Sequence, residues 1–290
     1  MTTTAAMDPG SPAFTSGSVG FAFGLTLLAG LATGVGSALA FFAKRTNLRL
    51  LAQTLAFSAG VMLYVSFMEI LPASSIHLEP HFGAAAGWLA NAGFFVGILA
   101  MALIDFAVPS ADNPHELRAD SDLEALKVAG GRGAGPQDHG AHLGRLGFFT
   151  AAAIAIHNFP EGMATFLAAL DDPRTGVAIA AAVALHNIPE GISVSVPIFY
   201  ATGNRGRAFT YSLLTGLSEP LGGLIAAFAL NWFLPDYAMG LVFASVAGVM
   251  VYVSIDELLP TAHRYGRSHE ILACIAGGMA VMAASLLMLK

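Results

Sequence analysis

Eight apolar stretches decide what this chain can fold into. They run over 18–43, 50–74, 85–108, 147–170, 176–200, 208–233, 238–262 and 270–289. About 20 mainly apolar residues suffice to cross a bilayer as a helix. Inside lipid every backbone polar group must be satisfied within the structure, which a helix does by itself. Only 11% of the residues are charged and 56% are hydrophobic, against roughly a quarter charged in a soluble domain. The chain therefore reads as an all-α integral membrane protein with eight transmembrane helices. Its 32 glycines suit that class. A lone cysteine, Cys274, excludes an intrachain disulfide framework. No basic face for nucleic acid and no GxxxxGK[ST] phosphate loop is present, so neither nucleic acid nor direct use of ATP is suggested.

The breaks between stretches are KRTNLR, HLEPHFG, the segment from Pro109 to Arg145, DDPR, GNRGR, LPDY and HRYGRSH. Cytoplasmic loops collect Lys and Arg. With the N-terminus outside, eleven of the 13 basic residues fall inside, and only Arg174 and Lys290 lie outside. Both termini are thus expected outside. Residues 1–17 carry no basic n-region and read as a disordered polar tail, not a cleaved signal. The organisation is then 18–108 for helices 1–3, 109–146 for a cytoplasmic loop, 147–200 for helices 4 and 5, and 201–290 for helices 6–8. The loop, with His115, His139 and His142, reads as a flexible linker; metal collection by its histidines is the alternative.

Two duplications organise the stretches. SAGVMLYVSFMEILP (58–72) and VAGVMVYVSIDELLP (246–260) agree at ten of fifteen positions, 188 residues apart. They sit in helices 2 and 7, one even and one odd, so they cross the bilayer in opposite directions. AIAIHNFPEG (153–162) is answered by AVALHNIPEG, ending at Gly191, in the adjacent helices 4 and 5. One pseudo-two-fold axis in the membrane plane relates helices 1–3 to 6–8 and exchanges 4 with 5. Inverted repeats with proline-broken helices at the midplane are a transporter signature.

His157 and Glu161 are i,i+4, as are His186 and Glu190, so each pair shares a helix face with its asparagine, Asn158 or Asn187, alongside. Pro160 and Pro189 leave the carbonyls of Ile156 and Leu185 without their helical donors. Glu219, in GLSEPLGG, lies midway along helix 6. Three carboxylates and two imidazoles at one depth are costly in hydrocarbon unless neutralised. A divalent cation does this, and mixed imidazole and carboxylate suits zinc and its neighbours. The plainer alternative is His–Glu contacts that only brace helices. Glu69 near the outer end of helix 2, and Asp256 with Glu257 near the inner end of helix 7, mark the two mouths of a route. His77, Glu79 and His81 lie beyond the outer mouth as cation collectors or a solvated face. Met62, two α-turns from Glu69, is a soft ligand or a packing residue.

HNFPEG and HNIPEG, with SEPLGG in helix 6 and eight spans, resemble the ZIP (Zrt/Irt-like) family of divalent-metal transporters, in particular its bacterial zinc-uptake branch. The resemblance covers nearly the whole chain from about residue 18, apart from much of the 109–146 loop. It implies uptake of Zn²⁺ into the cytoplasm across a bacterial inner membrane, with Fe²⁺, Mn²⁺, Co²⁺ or Cd²⁺ tolerated. It also implies a binuclear midplane site. One metal takes His157, Glu161, His186 and Glu190, with Met62 as a further candidate. The second takes Asn158, Glu161, Asn187, Glu190 and Glu219, the glutamates 161 and 190 bridging. Some relatives carry Asp where this chain has Asn187, so the second site here has one charge fewer. Helices 1, 4, 5 and 6 are implied to move against 2, 3, 7 and 8, often in a homodimer. From the residues alone a metal-dependent intramembrane hydrolase and an exporter remain alternatives. The absence of HExxH argues against the former, and symmetric ligands between mirrored acids favour passage over chemistry.

Overall fold

The computed structural model describes residues 16–42, 48–107, 138–232, 235 and 237–289. Among them all regular structure is helical, with no strand. Helices α1 (Ser16–Phe42), α2 (Leu48–Val65), α3 (Leu71–Phe82) and α4 (Ala86–Ala107) precede the central α5 (Asp138–Asp171) and α6 (Pro173–Thr202). Then follow α7 (Arg205–Gly216), α8 (Ser218–Trp232), α9 (Ala238–Val253), α10 (Leu259–Tyr265) and α11 (Ser268–Leu289).

Single π-turns join α2 to α3 (Ser66–Ile70) and α9 to α10 (Ser254–Leu258). The cause is local. Pro72 and Pro260 follow two residues after each turn, and a proline ring clashes with the carbonyl four residues back. Those carbonyls belong to Met68 and Asp256, both within the widened turns. The Leu71 and Leu259 amides instead donate five residues back, to Ser66 and Ser254.

Two helix limits differ from the sequence reading. HLEPHFG does not break the helix: α3 runs through Pro80 to Phe82, and the chain reverses at Gly83, whose φ of 52° favours glycine. Polar residues there end an apolar span without ending the helix. Likewise α5 starts at Asp138, nine residues before the expected 147. Most of the expected 109–146 loop, including His115, lies outside the described residues.

Five described stretches are long and apolar enough to cross a membrane: Ser18–Leu39, Ala52–Phe106, Arg205–Ala229, Ala238–Arg264 and Ser268–Met288. The second contains the reversal at Gly83. The protein is a multi-pass α-helical membrane protein. The motif helices α5 and α6 carry their His, Asn, Pro and Glu within apolar runs. Other helices shield them: α1 packs along α6, α8 along α5, and α5 along α6. Around these stand α2 with α11 and α4 with α9. Trp88, Phe95, Leu99, Leu103 and Phe106 on α4 face outward, while small residues line the helix contacts, as expected where lipid is as apolar as the side chains.

The closest contacts recur in pairs. A Cβ on Gly60 would stand 2.1 Å from the Ile275 carbonyl oxygen, and one on Gly248 would stand 2.0 Å from that of Phe94. These glycines are separated by the same 188 residues as the π-turns. A Cβ on Gly162 would stand 2.0 Å from the Glu219 carbonyl oxygen, and one on Gly191 1.9 Å from that of Thr33. Gly30 and Gly216 approach each other, each Cβ falling 2.2 or 2.1 Å from the other's carbonyl oxygen.

The α5–α6 turn is set by Asp172, which caps α6. Its carboxylate accepts from the amides of Arg174 (3.3 Å) and Thr175 (3.0 Å) and from the Thr175 hydroxyl (2.6 Å), with Pro173 at the first helical position. The Thr175 hydroxyl, then the Thr175 amide, hold this carboxyl below the ordinary aspartate range. Asp172→Ala is expected to lower stability by about 1 kcal/mol. Because the folded-state value is depressed, the cap contributes above the ordinary carboxylate range and fades as pH falls through it. The melting difference between the two proteins in detergent should therefore close on acidification below pH ~4.

Candidate functional site

The geometry of the doubled motif follows from the turn at Asp172. On α5 the order toward that turn is His157 then Glu161; on α6 the order away from it is His186 then Glu190. Antiparallel helices therefore set each histidine opposite the other motif's glutamate. His186 Nε2 lies 2.9 Å from Glu161 Oε2, and His157 Nε2 lies 3.7 Å from Glu190 Oε1. Both histidines, both asparagines and Glu161, Glu190 and Glu219 are buried, none more than 2% exposed.

Two further helices complete the cluster. Asn187 donates to the Ala29 carbonyl of α1 (2.8 Å) and to Glu219 Oε1 of α8. Asn158 reaches the Thr215 carbonyl (3.3 Å) in one amide orientation. Turned over, it donates to the Ile154 carbonyl (3.2 Å) and to Glu190 Oε2 (3.1 Å), the better satisfied arrangement. Pro220 cannot donate to the Gly216 carbonyl, which is the oxygen facing Gly30.

Glu257, expected near a mouth, touches the cluster instead: its Oε2 lies 3.8 Å from His157 Nδ1. Glu257 lies within the π-turn Ser254–Leu258. The π-turn Ser66–Ile70 interrupts a count of two α-turns from Met62 to Glu69. Met62 is fully buried in the main apolar core that also holds Met250. Glu69 lines a cleft with Asp171 and Thr175. Asp256 is half-buried beside Glu257. The outer histidines diverge. His77 Nε2 lies 3.3 Å from Asp171 Oδ2, with its ring 5.6 Å from Phe243, whereas His81 packs edge-on against Tyr237. His139 and His142 fall in the first turns of α5, with side chains outside the description. Sequence reasoning missed Asp171. A carboxylate as the last residue of a helix opposes the macrodipole, and that was the available signal.

Among the described residues no three His, Cys, Asp or Glu side chains stand in metal-holding geometry; His186 meets Glu161, while His157 lies between Glu190 and Glu257. Yet the donor atoms suit a cation. His157 Nε2 and Nδ1, His186 Nδ1, Glu161 Oε1, Asn187 Oδ1 and Glu219 Oε2 are buried with no hydrogen-bond partner. Buried polar atoms in this number call for an explanation, and an ion drawing the pairs together provides one.

Comparison with known proteins settles the class. A family model for the ZIP zinc transporters matches residues 110–286, from before α5 almost to the end of α11. The chain belongs to the ZIP family. It is 54% identical to the zinc transporter ZupT of Lysinibacillus sphaericus over 94% of this chain and 99% of that protein. Identity is again 54% to ZupT of Nitratidesulfovibrio vulgaris, over 94% and 98% of the two chains, and 51% to ZupT of Clostridium perfringens, over 92% and 95%. As a member of this transporter family the protein is not an enzyme, and the hydrolase alternative falls. In this ZIP protein the matched region includes every residue of the His–Asn–Glu cluster, Glu219 and Glu257.

Proposed function

We propose that the protein carries Zn²⁺ through the membrane into the cytoplasm by exposing the buried cluster alternately to each side. The observation that carries this reading is the cross-pairing of two helices that run unbroken through Pro160 and Pro189, His186 with Glu161 and His157 with Glu190, in a member of a zinc-transporter family. In this reading Glu161 and Glu190 bridge two ions. One is completed by His157 and His186, the other by Asn158, Asn187 and Glu219. Met62, fully buried in the apolar core, serves there as a packing residue or as a further soft ligand to the first ion. Fe²⁺, Mn²⁺, Co²⁺ and Cd²⁺ share the ligand chemistry and compete for the site. Each continuous helical rod is one crossing, eight in all, with both termini outside, the basic loops inside and the bacterial inner membrane as the host. The recurrence of π-turns and glycine contacts at one 188-residue step supports an inverted repeat. The motion then sets α1, α5, α6 and α7–α8 against the remaining helices, within a homodimer.

The test is zinc flux into liposomes containing the purified protein and a trapped fluorescent chelator, beside His186→Ala/Glu190→Ala. Saturable influx that the double variant lacks is expected. Folded, zinc-binding protein that passes no zinc under any imposed gradient would sink uptake.

A further inference from the structure

Where α7 gives way to α8 the helix is interrupted beside the buried cluster. α7 ends at Gly216, and Pro220 cannot donate to the Gly216 carbonyl. In membrane transporters such half-helix ends and freed carbonyls coordinate Na⁺. Three side chains bring further oxygen atoms to this break. Asn187 donates to the Ala29 carbonyl and to Glu219 Oε1, which leaves Asn187 Oδ1 and Glu219 Oε2 buried without partners. Thr33 is the third. A Cβ on Gly216 would stand 2.8 Å from Thr33 Oγ1, so this hydroxyl lies beside the end of α7. Earlier on α1, Thr26 returns its hydroxyl to the carbonyl four residues back, Ala22 (2.9 Å). The matching acceptor for Thr33 is the Ala29 carbonyl, which receives Asn187 instead. The Thr33 hydroxyl is left fully buried and without a partner. Every ligand atom at the break is oxygen, whereas the two imidazoles meet Glu161 and Glu190.

We propose that Glu219, Asn187, Thr33 and the Gly216 carbonyl hold one Na⁺ ion, which crosses the membrane together with zinc. The inference rests on the transport reading and names the second of its two ions. Charge decides which ion this set takes. Glu161, Glu190 and Glu219 are buried, whereas Glu257 keeps 14% of its side chain exposed to solvent. One zinc ion offsets two of those three buried charges, and asparagine at 158 and 187 adds none. A second dication would leave a net positive charge inside the membrane, which is costly. A monovalent ion leaves none. Imidazole selects zinc, and carboxylate with carbonyl oxygen selects a harder cation, so the two ions do not compete for one place. α1, α6 and α7–α8 all belong to the group of helices proposed to move. An ion held among them travels with the zinc, and an inward sodium gradient drives both.

Two measurements test it. Equilibrium dialysis of the purified protein in detergent against radioactive zinc is run in sodium chloride and in choline chloride at equal ionic strength. Zinc is expected to bind about tenfold more tightly in sodium, a usual coupling between two sites. Thr33→Ala is expected to raise the sodium concentration for half of that effect about tenfold. Asn187→Asp adds a buried charge, so it is expected to bind a second zinc ion per chain and to lose the response to sodium. In liposomes, radioactive sodium is expected to enter with zinc and not without it. Equal zinc affinity in sodium and choline, a sodium response untouched by Thr33→Ala or by Asn187→Asp, or zinc influx without sodium would each overturn the proposal. Sodium-dependent zinc binding with no flux of either ion would overturn uptake and leave the sodium site standing.

Discussion

Glutamine at Glu161 or Glu190 is expected to reduce zinc influx by about 10²–10³-fold while the fold survives. The substitution keeps shape and removes one charge from a cluster in which His186 lies 2.9 Å from Glu161 and His157 lies 3.7 Å from Glu190. Removing one partner of a buried ion pair costs about 3–5 kcal/mol, and each 1.4 kcal/mol is about a factor of ten in affinity. As each glutamate bridges in the proposed centre, either single change should lower zinc stoichiometry as well as rate. Asn158→Ala, which removes a neutral donor, should act more weakly. The measurement is influx together with bound zinc per chain. Were the pairs mere braces between helices, Glu161→Gln would lower the melting temperature and leave bound zinc unchanged.

The second large effect concerns packing. Gly162→Ala is expected to destabilise the protein by at least about 3 kcal/mol, the upper end for overpacking. The new Cβ would stand 2.0 Å from the Glu219 carbonyl oxygen and 2.4 Å from its Cα. These are backbone atoms, so no rotamer change relieves the clash, and α8 must retreat and take Glu219 with it. Gly24 on α1 is the control. A Cβ there meets nothing within 4 Å, and alanine at that position should stabilise by about 0.5–1 kcal/mol. Thermal melts of the two variants in the same detergent decide the matter. If Gly162→Ala melts with the unchanged protein, the close approach of α5 and α8 is wrong.

The candidate ligands were legible in the sequence because hydrocarbon tolerates so few ionisable groups. His157, Glu161, His186, Glu190 and Glu219 stand out of apolar runs, and i,i+4 spacing already placed each His with its own Glu. That each histidine faces the other motif's glutamate follows only once the Asp172 turn makes the helices antiparallel. The meeting of Glu257 with His157 joins residues a hundred positions apart on different helices, which no spacing within one helix reveals. The end of α3 was misjudged because His77, Glu79 and His81 signal the end of apolarity, whereas the helix ends only at Gly83. Asp171, marked in the sequence only as a carboxylate at a helix end, is missed for another reason. Its significance comes from Glu69 and His77, about a hundred residues away in sequence, and no local pattern encodes such a meeting.

The reciprocal approach of Gly30 and Gly216 has a mechanical meaning. Helices that mesh through side chains behave like gears: to slip, each knob must leave its hole, and rotamers must change along the seam. Where α1 meets α7 at these two glycines, backbone rests on backbone with nothing interposed. Such a crossing is a plain bearing. It tolerates a small roll or glide without unmeshing, yet a single methyl group on either surface would jam it.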